Sequence, residues 1–428
     1  METKQKRYVQ LIAVNLIDRL KQIENNPPPI PGFTISRLEY LIHLILSHKD
    51  DDHRGSWSVL NMKYMSNVVP QAEEYLNYLL SEGIIERINY SAGRNSSMYR
   101  LKKEGKTAFR TITDPKLIRR IEQNRIKLSL KNSKKYPFLN KWIRKAEIDT
   151  DEAIKTIEKK YSEDIQNNDP KANVRRTESL ASLARIVDNE IYMKVDKSGY
   201  RLHSNYSNLP KVLLPHLTIN GYHMMEIDIS NAQPFFASCM FDPTPEIERI
   251  MTEYLDKDLI IFIKKLKLSR FKDVILYRSL AKDGKFYQYM MDKFKENNIP
   301  YKDKADTKDK LFAVFNGKVF AYKYNPVARV FRKEFPTVYK IFSLIKSEKQ
   351  NTLNNLLTRI ESFVMLDNVA VNISTKFPDL PILTRHDSIL TAKILVAGSI
   401  HSDDIVSILI STIKEITGLT PSGRMRKL

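Results

Sequence analysis

The chain has 428 residues, a formal charge of +20 from 70 Lys and Arg against 50 Asp and Glu, and one cysteine, Cys239. That length can bury two or three cores, and the lone thiol excludes an internal disulfide or a cysteine-rich zinc site, which fits a reducing, cytoplasmic compartment. The excess of cations favours a polyanionic partner through counterion release. The N-terminal Met-Glu-Thr-Lys-Gln-Lys-Arg leads into an amphipathic segment with Asp18 and Arg19 rather than a long apolar run, so neither a secretory signal nor a membrane span is expected.

Residues 8 to 23 read as a helix, and the Pro-rich run Asn25 to Gly32 as a stiff linker or turn. From Thr34 to about Leu101 the pattern is helix, helix, helix, hairpin. Ala72, Tyr75, Leu76, Leu79 and Leu80 mark one helical face, Gly83 stops that helix, and Ile84 to Ile88 pairs with Met98 to Leu101. This order resembles a winged helix domain. The helix that would read DNA carries Glu73, Glu74 and Glu82 and no Lys or Arg, which is unfavourable beside phosphates, whereas Arg87, Arg94 and Arg100 of the hairpin can meet a backbone. DNA contact and a docking or structural role therefore both stand for this part.

Residues 116 to 145 hold eleven Lys or Arg and one acidic residue, Glu122, with Tyr136, Phe138 and Trp142 interleaved. Cations such as Lys134, Lys135 and Arg144 suit phosphates, and rings suit bases. Alternatively the rings anchor a basic helix to the next core. Asp149-Thr-Asp151-Glu152 has the composition of an exonuclease motif, but it opens a charge-rich helix and too little chain remains for that domain, so proofreading is expected to be absent. No His-x3-His, Cys-x2-Cys or Gly-x4-Gly-Lys-Ser/Thr spacing occurs, so neither zinc nor a P-loop is expected.

Two carboxylates stand out further on. Met225, Ile227 and Ile229 alternate with Glu226 and Asp228 as in a half-buried strand, and Ser230-Asn231 is placed to cap a helix with Pro234 in its first turn. Ile382 to Thr384 and Ile389 to Thr391 flank Arg385-His386-Asp387-Ser388, a tight hairpin with Asp387 in its turn. Between these segments, Lys304, Lys308, Phe312 and Asn316-Gly317 recur along one helical face, offering two ammonium groups and a ring. Asp303, Asp306 and Asp309 are interleaved, so a merely solvated face is the alternative. Two carboxylates a few Å apart repel by about 4 kcal/mol at an effective dielectric near 20, so such a pair is normally held by cations, with hard Mg²⁺ preferred.

In this order the segments resemble the single-subunit right-hand polymerases, the family A DNA polymerases and phage-type RNA polymerases. Asp228-Ile-Ser230 is similar to the family's first motif and His386-Asp387-Ser388 to its third. Lys304-x3-Lys308-x3-Phe312-x3-Asn316-Gly317 is similar to the Arg-x3-Lys-x3-Phe-x3-Tyr-Gly of the fingers helix. Gly199-Tyr-Arg201-Leu-His-Ser204 looks like the Gly-Arg-Leu-Ser segment ahead of the palm, and Arg332 to Val338 like the segment after the fingers helix. The resemblance covers roughly residues 195 to 428. Lys304 replaces the usual Arg, Asn316 the usual Tyr, and Gln233 stands where the DNA enzymes have Glu. The last two fall on sugar-reading positions, so the choice between dNTP and NTP stays open; a hydrogen bond between Gln233 and Asn316 would be one way to keep a gate.

The resemblance implies an α+β right-hand polymerase behind a mainly helical winged helix domain. Residues 1–110 would form the N-terminal domain, 111–190 a basic helical thumb and 191–428 the palm and fingers, with fingers at about 241–359. Asp228 and Asp387 would hold two Mg²⁺ ions about 3.5 to 4 Å apart, with Mn²⁺ as a substitute, for in-line attack of a primer 3′-hydroxyl on a nucleoside triphosphate. Lys308 and Lys304 would take the triphosphate, Phe312, Asn316 and Gln233 the base and sugar, and Arg201 and His386 the nucleic acid. The expected partners are DNA template, primer and nucleoside triphosphates, with no membrane. DNA synthesis for a phage or other mobile element is the reading, an RNA polymerase or primase the nearest alternative, and a non-catalytic replication initiator the alternative of another class.

Overall fold

The computed structural model describes the backbone of residues 8–47, 57–89, 97–103, 105–130, 135–188, 190–347, 349–392 and 402–427. Helices dominate and the described strand pairs are antiparallel, so α and β structure are mixed. Two compact units are present, residues 1–193 with 208–223 and residues 194–207 with 224–428.

In the first unit, residues 8 to 23 are not one helix. Val9–Ala13 is a strand, paired from Val9 with Thr111 to Ala13 with Thr107, and a helix begins only at Ile17. Its partner strand lies about a hundred residues away, where a local period gives no warning of it. That pairing also joins the two sides of the expected boundary at residue 110. Arg176 of helix Ala172–Val187 strengthens the join by donating to the Thr107 carbonyl at 2.8 Å, so residues 111–190 do not separate from 1–110 as a domain.

The helix Ile35–Ser47 is buried from Leu38 onward, and two of its buried polar residues meet the strand Val9–Ala13. Gln10 donates to Glu39 at 2.7 Å, and His43 Nδ1 accepts from the Leu11 amide at 3.0 Å. After it come strand Ser58–Val59, helices Met62–Val68 and Ala72–Ser81, and the hairpin Ile85–Ile88 with Met98–Leu101. Glu73 and Glu74 are exposed on the second of those helices.

The basic segment separates its charges from its rings. Tyr136 and Trp142 are each 3% exposed, so they anchor helix Pro137–Ile143 rather than offer faces to bases, while Lys141 and Lys145 lie over the Trp142 ring at 4.4 and 5.4 Å. Asp149 is the N-cap of helix Thr150–Gln166, accepting from the Glu152 amide at 3.1 Å.

The second unit combines a sheet with a helical body. Strand Tyr222–Ile229, whose first two residues belong to the first unit, has Ser388–Ala392 on one side and Gly423–Lys427 on the other, and Ile382–Arg385 is outermost. Ile227 and Ile229 point into the core, at 0% and 2% exposure. The helical body packs around fused rings: Tyr277 sits 5.3 Å from Phe286 and 5.4 Å from Phe335, and Phe331 5.2 Å from Phe335. Cys239 is fully buried there, and burial pushes its thiol up to about 12. Asn231 does not cap helix Ala232–Ser238 with its side chain. It takes left-handed backbone at φ +57° and donates to the Leu280 carbonyl at 3.5 Å instead. No helix among the described residues is long and apolar enough to cross a membrane.

Candidate active site

Strand register brings the two carboxylates of the second unit together. Asp228 pairs with Ser388 across the ladder, and opposed residues of an antiparallel pair have Cα atoms about 4.5–5.5 Å apart. Asp387 is the next residue, in a two-residue turn between Ile382–Arg385 and Ser388–Ala392 that His386 makes with left-handed backbone at φ +54°. Burial holds the Asp387 carboxyl above the usual carboxylate range. Lys308 pulls it down, Asp228 pushes it up, and Arg201 pulls it down. One carboxyl thus senses three side chains from distant segments.

Glu226, two residues before Asp228 on the same face of its strand, is occupied. Ser388 Oγ donates to it at 2.8 Å and Arg385 at 3.1 Å, which fixes the hairpin against the central strand.

Arg201 is positioned by a loop that folds around one carboxylate. Asp196 Oδ1 accepts from the amides of Ser198, Gly199 and Tyr200 at 2.8, 2.7 and 3.2 Å, and Oδ2 from the Arg201 amide at 3.1 Å. Burial raises the Asp196 pKa, but the bonds from Gly199, His203 and Ser198 outweigh it and hold the carboxyl low. The Arg201 guanidinium then meets Glu361 as a fork, at 2.9 and 3.0 Å. A carboxylate already engages the side chain expected to hold nucleic acid. Glu361 is 6% exposed. Burial pushes it up to about 7, Arg201 opposes this and Asp387 adds to it.

Gly199 is required where the loop touches the helix Thr352–Ser362, because a Cβ there would lie 2.2 Å from Thr358 Cγ2. Gly199→Ala is expected to destabilise the fold by about 1–3 kcal/mol through overpacking, read by urea denaturation, and to displace Arg201.

His386 is half-buried, 6.0 Å from the His203 ring. Burial first, then the charges of Arg201, His203 and Arg385, lower it to about 4. It is therefore neutral at pH 7 in the chain alone.

Lys304, Lys308, Phe312 and Asn316 share one face of helix Lys304–Asn316. The interleaved aspartates are largely committed elsewhere: Asp303 caps the Asp306 amide at 2.9 Å, and Asp306 pairs with Lys310 at 2.5 Å. Among the described residues no carboxylate forms an ion pair with Lys304 or Lys308, both exposed, and Phe312 is 52% exposed. Asn316 donates to the Phe312 carbonyl at 3.4 Å, and no hydrogen bond joins it to Gln233, which is half-buried at the start of Ala232–Ser238.

The far end of that helix is clamped. Lys346, 3% exposed, donates to the carbonyls of Val314 at 2.9 Å and Gly317 at 3.1 Å, and burial lowers its ammonium to about 8 from 10.5. The folded chain releases between those values a proton that the unfolded chain keeps. Folding stability is therefore expected to rise as pH climbs from about 8 to 10.5, by up to about 3 kcal/mol, and Lys346→Met should remove that rise in urea midpoints.

Of the remaining residues expected to touch nucleic acid, Lys135 and Arg144 belong to the first unit. Lys135 Nζ lies 5.0 Å from the Tyr136 ring centre and Arg144 bonds Asn140 at 3.2 Å. Lys134 is outside the described residues. Tyr287, which the sequence did not single out, is 5% exposed, and burial together with the Asp387 charge holds its hydroxyl above its ordinary range. Asp196 had a local signal, an Asp followed by Lys-Ser-Gly as in a turn that wraps a carboxylate. Glu361 and Lys346 had none.

No group of three or more His, Cys, Asp or Glu among the described residues is arranged to hold a metal. Mg²⁺ usually binds through one or two carboxylates plus substrate phosphates rather than an all-protein cage, and the oxygen donors of Asp228 and Asp387 suit such a hard cation by type.

Neither a protein-family model nor a curated protein matches the chain. Among solved structures it is similar to the POL domain of Pol1 from M. smegmatis in complex with DNA primer-template and dNTP, at 13% identity and a TM-score of 0.28. The match covers 63% of this chain and spans 55% of that one. Overlap at that level carries no argument about this chain's activity.

Proposed function

We propose that the chain is a template-directed nucleotidyl transferase, a DNA-directed DNA polymerase without a proofreading exonuclease. The observation that supports it is the convergence on Asp387: a second carboxylate from the central strand, a lysine from the Lys304–Asn316 helix and the arginine of the Asp196 loop all act on it. In this reading the sheet and residues 360–428 are palm, the helices at about 241–359 fingers, and the first unit, winged helix-like at its N-terminal end, holds DNA through its exposed cations.

Bound at Asp228 and Asp387, two Mg²⁺ ions would activate a primer 3′-hydroxyl and neutralise the departing pyrophosphate. Lys308, with Lys304 one turn before it, supplies positive charge for the triphosphate. Phe312 offers a ring face to the incoming base or sugar. Glu361 holds Arg201 in one orientation, so that guanidinium presents its remaining donors in a fixed direction.

A labelled primer on a longer template, with Mg²⁺ and either dNTPs or NTPs, tests the reading. Extension by dNTPs that follows the template supports it. Extension by NTPs makes the chain an RNA polymerase or primase, and a gel shift without incorporation makes it a non-catalytic DNA binder.

A further inference from the structure

Beyond the carboxylates, the segment after the Lys304–Asn316 helix has a surface with no role in the chemistry above. From Lys310 to Lys333 inclusive the sequence carries six Lys or Arg and no Asp or Glu. The loop encloses an open depression of about 610 Å³ lined by Lys318, Phe320, Lys323, Tyr324 and Asn325. Phe320 is 60% exposed and Tyr324 85%. Large rings left this open cost solvation, and rings rimmed by cations alone are an unusual use of surface.

The loop backbone is pinned although its rings are open to solvent. Lys346 holds the Gly317 carbonyl and Tyr339 donates to the Val319 carbonyl at 3.0 Å. Asn325 caps the next helix, Pro326–Glu334, accepting from Val327 at 2.8 Å. Lys323 lies 5.0 Å from the Phe320 ring centre, and Arg332 stacks on Tyr322 at 4.2 Å. A fixed backbone presenting rings and ammonium groups binds with little ordering entropy.

We propose that Lys318–Asn325 is a stacking platform for single-stranded DNA, with Phe320 and Tyr324 against bases and Lys318 and Lys323 against phosphates. Unpaired bases expose faces that such rings can cover, whereas a duplex hides them in its own stack. The lack of any carboxylate along the loop complements a polyanion. The platform rests on the proposed function only for its choice of DNA over RNA.

Tyr324→Trp in a background with Trp57→Phe and Trp142→Phe supplies a local reporter, and oligo-dT, oligo-rU and a blunt duplex of equal length are the probes, with neither nucleotide nor metal present. Oligo-dT is expected to quench the introduced indole saturably, and the duplex much less. Adding Phe320→Ala should weaken oligo-dT at least about fivefold, the effect of losing one stacked base. Lys323→Gln should lower the salt slope by about 0.7. Unchanged emission from the Tyr324→Trp variant, or equal quenching by the duplex, overturns the platform; tighter quenching by oligo-rU overturns its assignment to DNA. An inactive enzyme that still shows quenching refutes the polymerase reading alone, and an active one without quenching refutes the platform alone.

Discussion

Asp228→Asn and Asp387→Asn are each expected to lower Mg²⁺-dependent primer extension by at least about 1,000-fold, equivalent to about 4 kcal/mol of barrier. The two variants should differ in stability. Burial and the Asp228 charge both disfavour the Asp387 carboxylate, so an amide of the same shape removes a strained charge. Asp387→Asn should therefore melt no lower than the parent, and higher where pH keeps the parent's carboxyl ionised. Calorimetry beside single-turnover extension checks both halves. Full extension by either variant, or loss of extension only together with unfolding, would end the assignment of these residues to chemistry.

Glu361 gives the second large effect. Its ordinary value is 4.5 and in the fold it stands near 7, so between those pH values the folded chain keeps a proton that the unfolded chain releases. Stability from this group is present below about 4.5 and is lost as pH rises to about 7, by up to about 3 kcal/mol. Glu361→Gln should flatten that part of the urea-midpoint profile. Glu361→Ala should cost less at pH 8 than at pH 4.5, because above about pH 7 the parent itself carries the buried charge, whose removal offsets the lost contact with the part-exposed Arg201. A parent profile flat from pH 4.5 to 7 would refute the account.

The parts of the site that were readable from sequence are those governed by neighbours along the chain. Alternation of Ile227 and Ile229 with Asp228 located the central strand, β-prone runs located the Asp387 turn, and four-residue spacing located the face shared by Lys308 and Phe312. What could not be read depends on partners far away. Glu361 reads as a surface charge in Arg359-Ile360-Glu361-Ser362, since its partner Arg201 is 160 positions off. Val9–Ala13 likewise looks helical until Thr107–Thr111 is beside it. Tyr136 and Trp142 were ambiguous because composition reports that rings and cations alternate, not which of them faces inward.

The burial of Cys239 has a practical consequence. Its sulfur is shielded from solvent and its proton is held to about pH 12, so maleimides should leave the folded wild-type chain unlabelled. Any cysteine introduced at an exposed position such as Lys304 or Tyr324 would then be the sole site a dye attaches to, with the native thiol left in place, and the chain is ready for single-site fluorescence of the Lys304–Asn316 helix or of the loop that follows it.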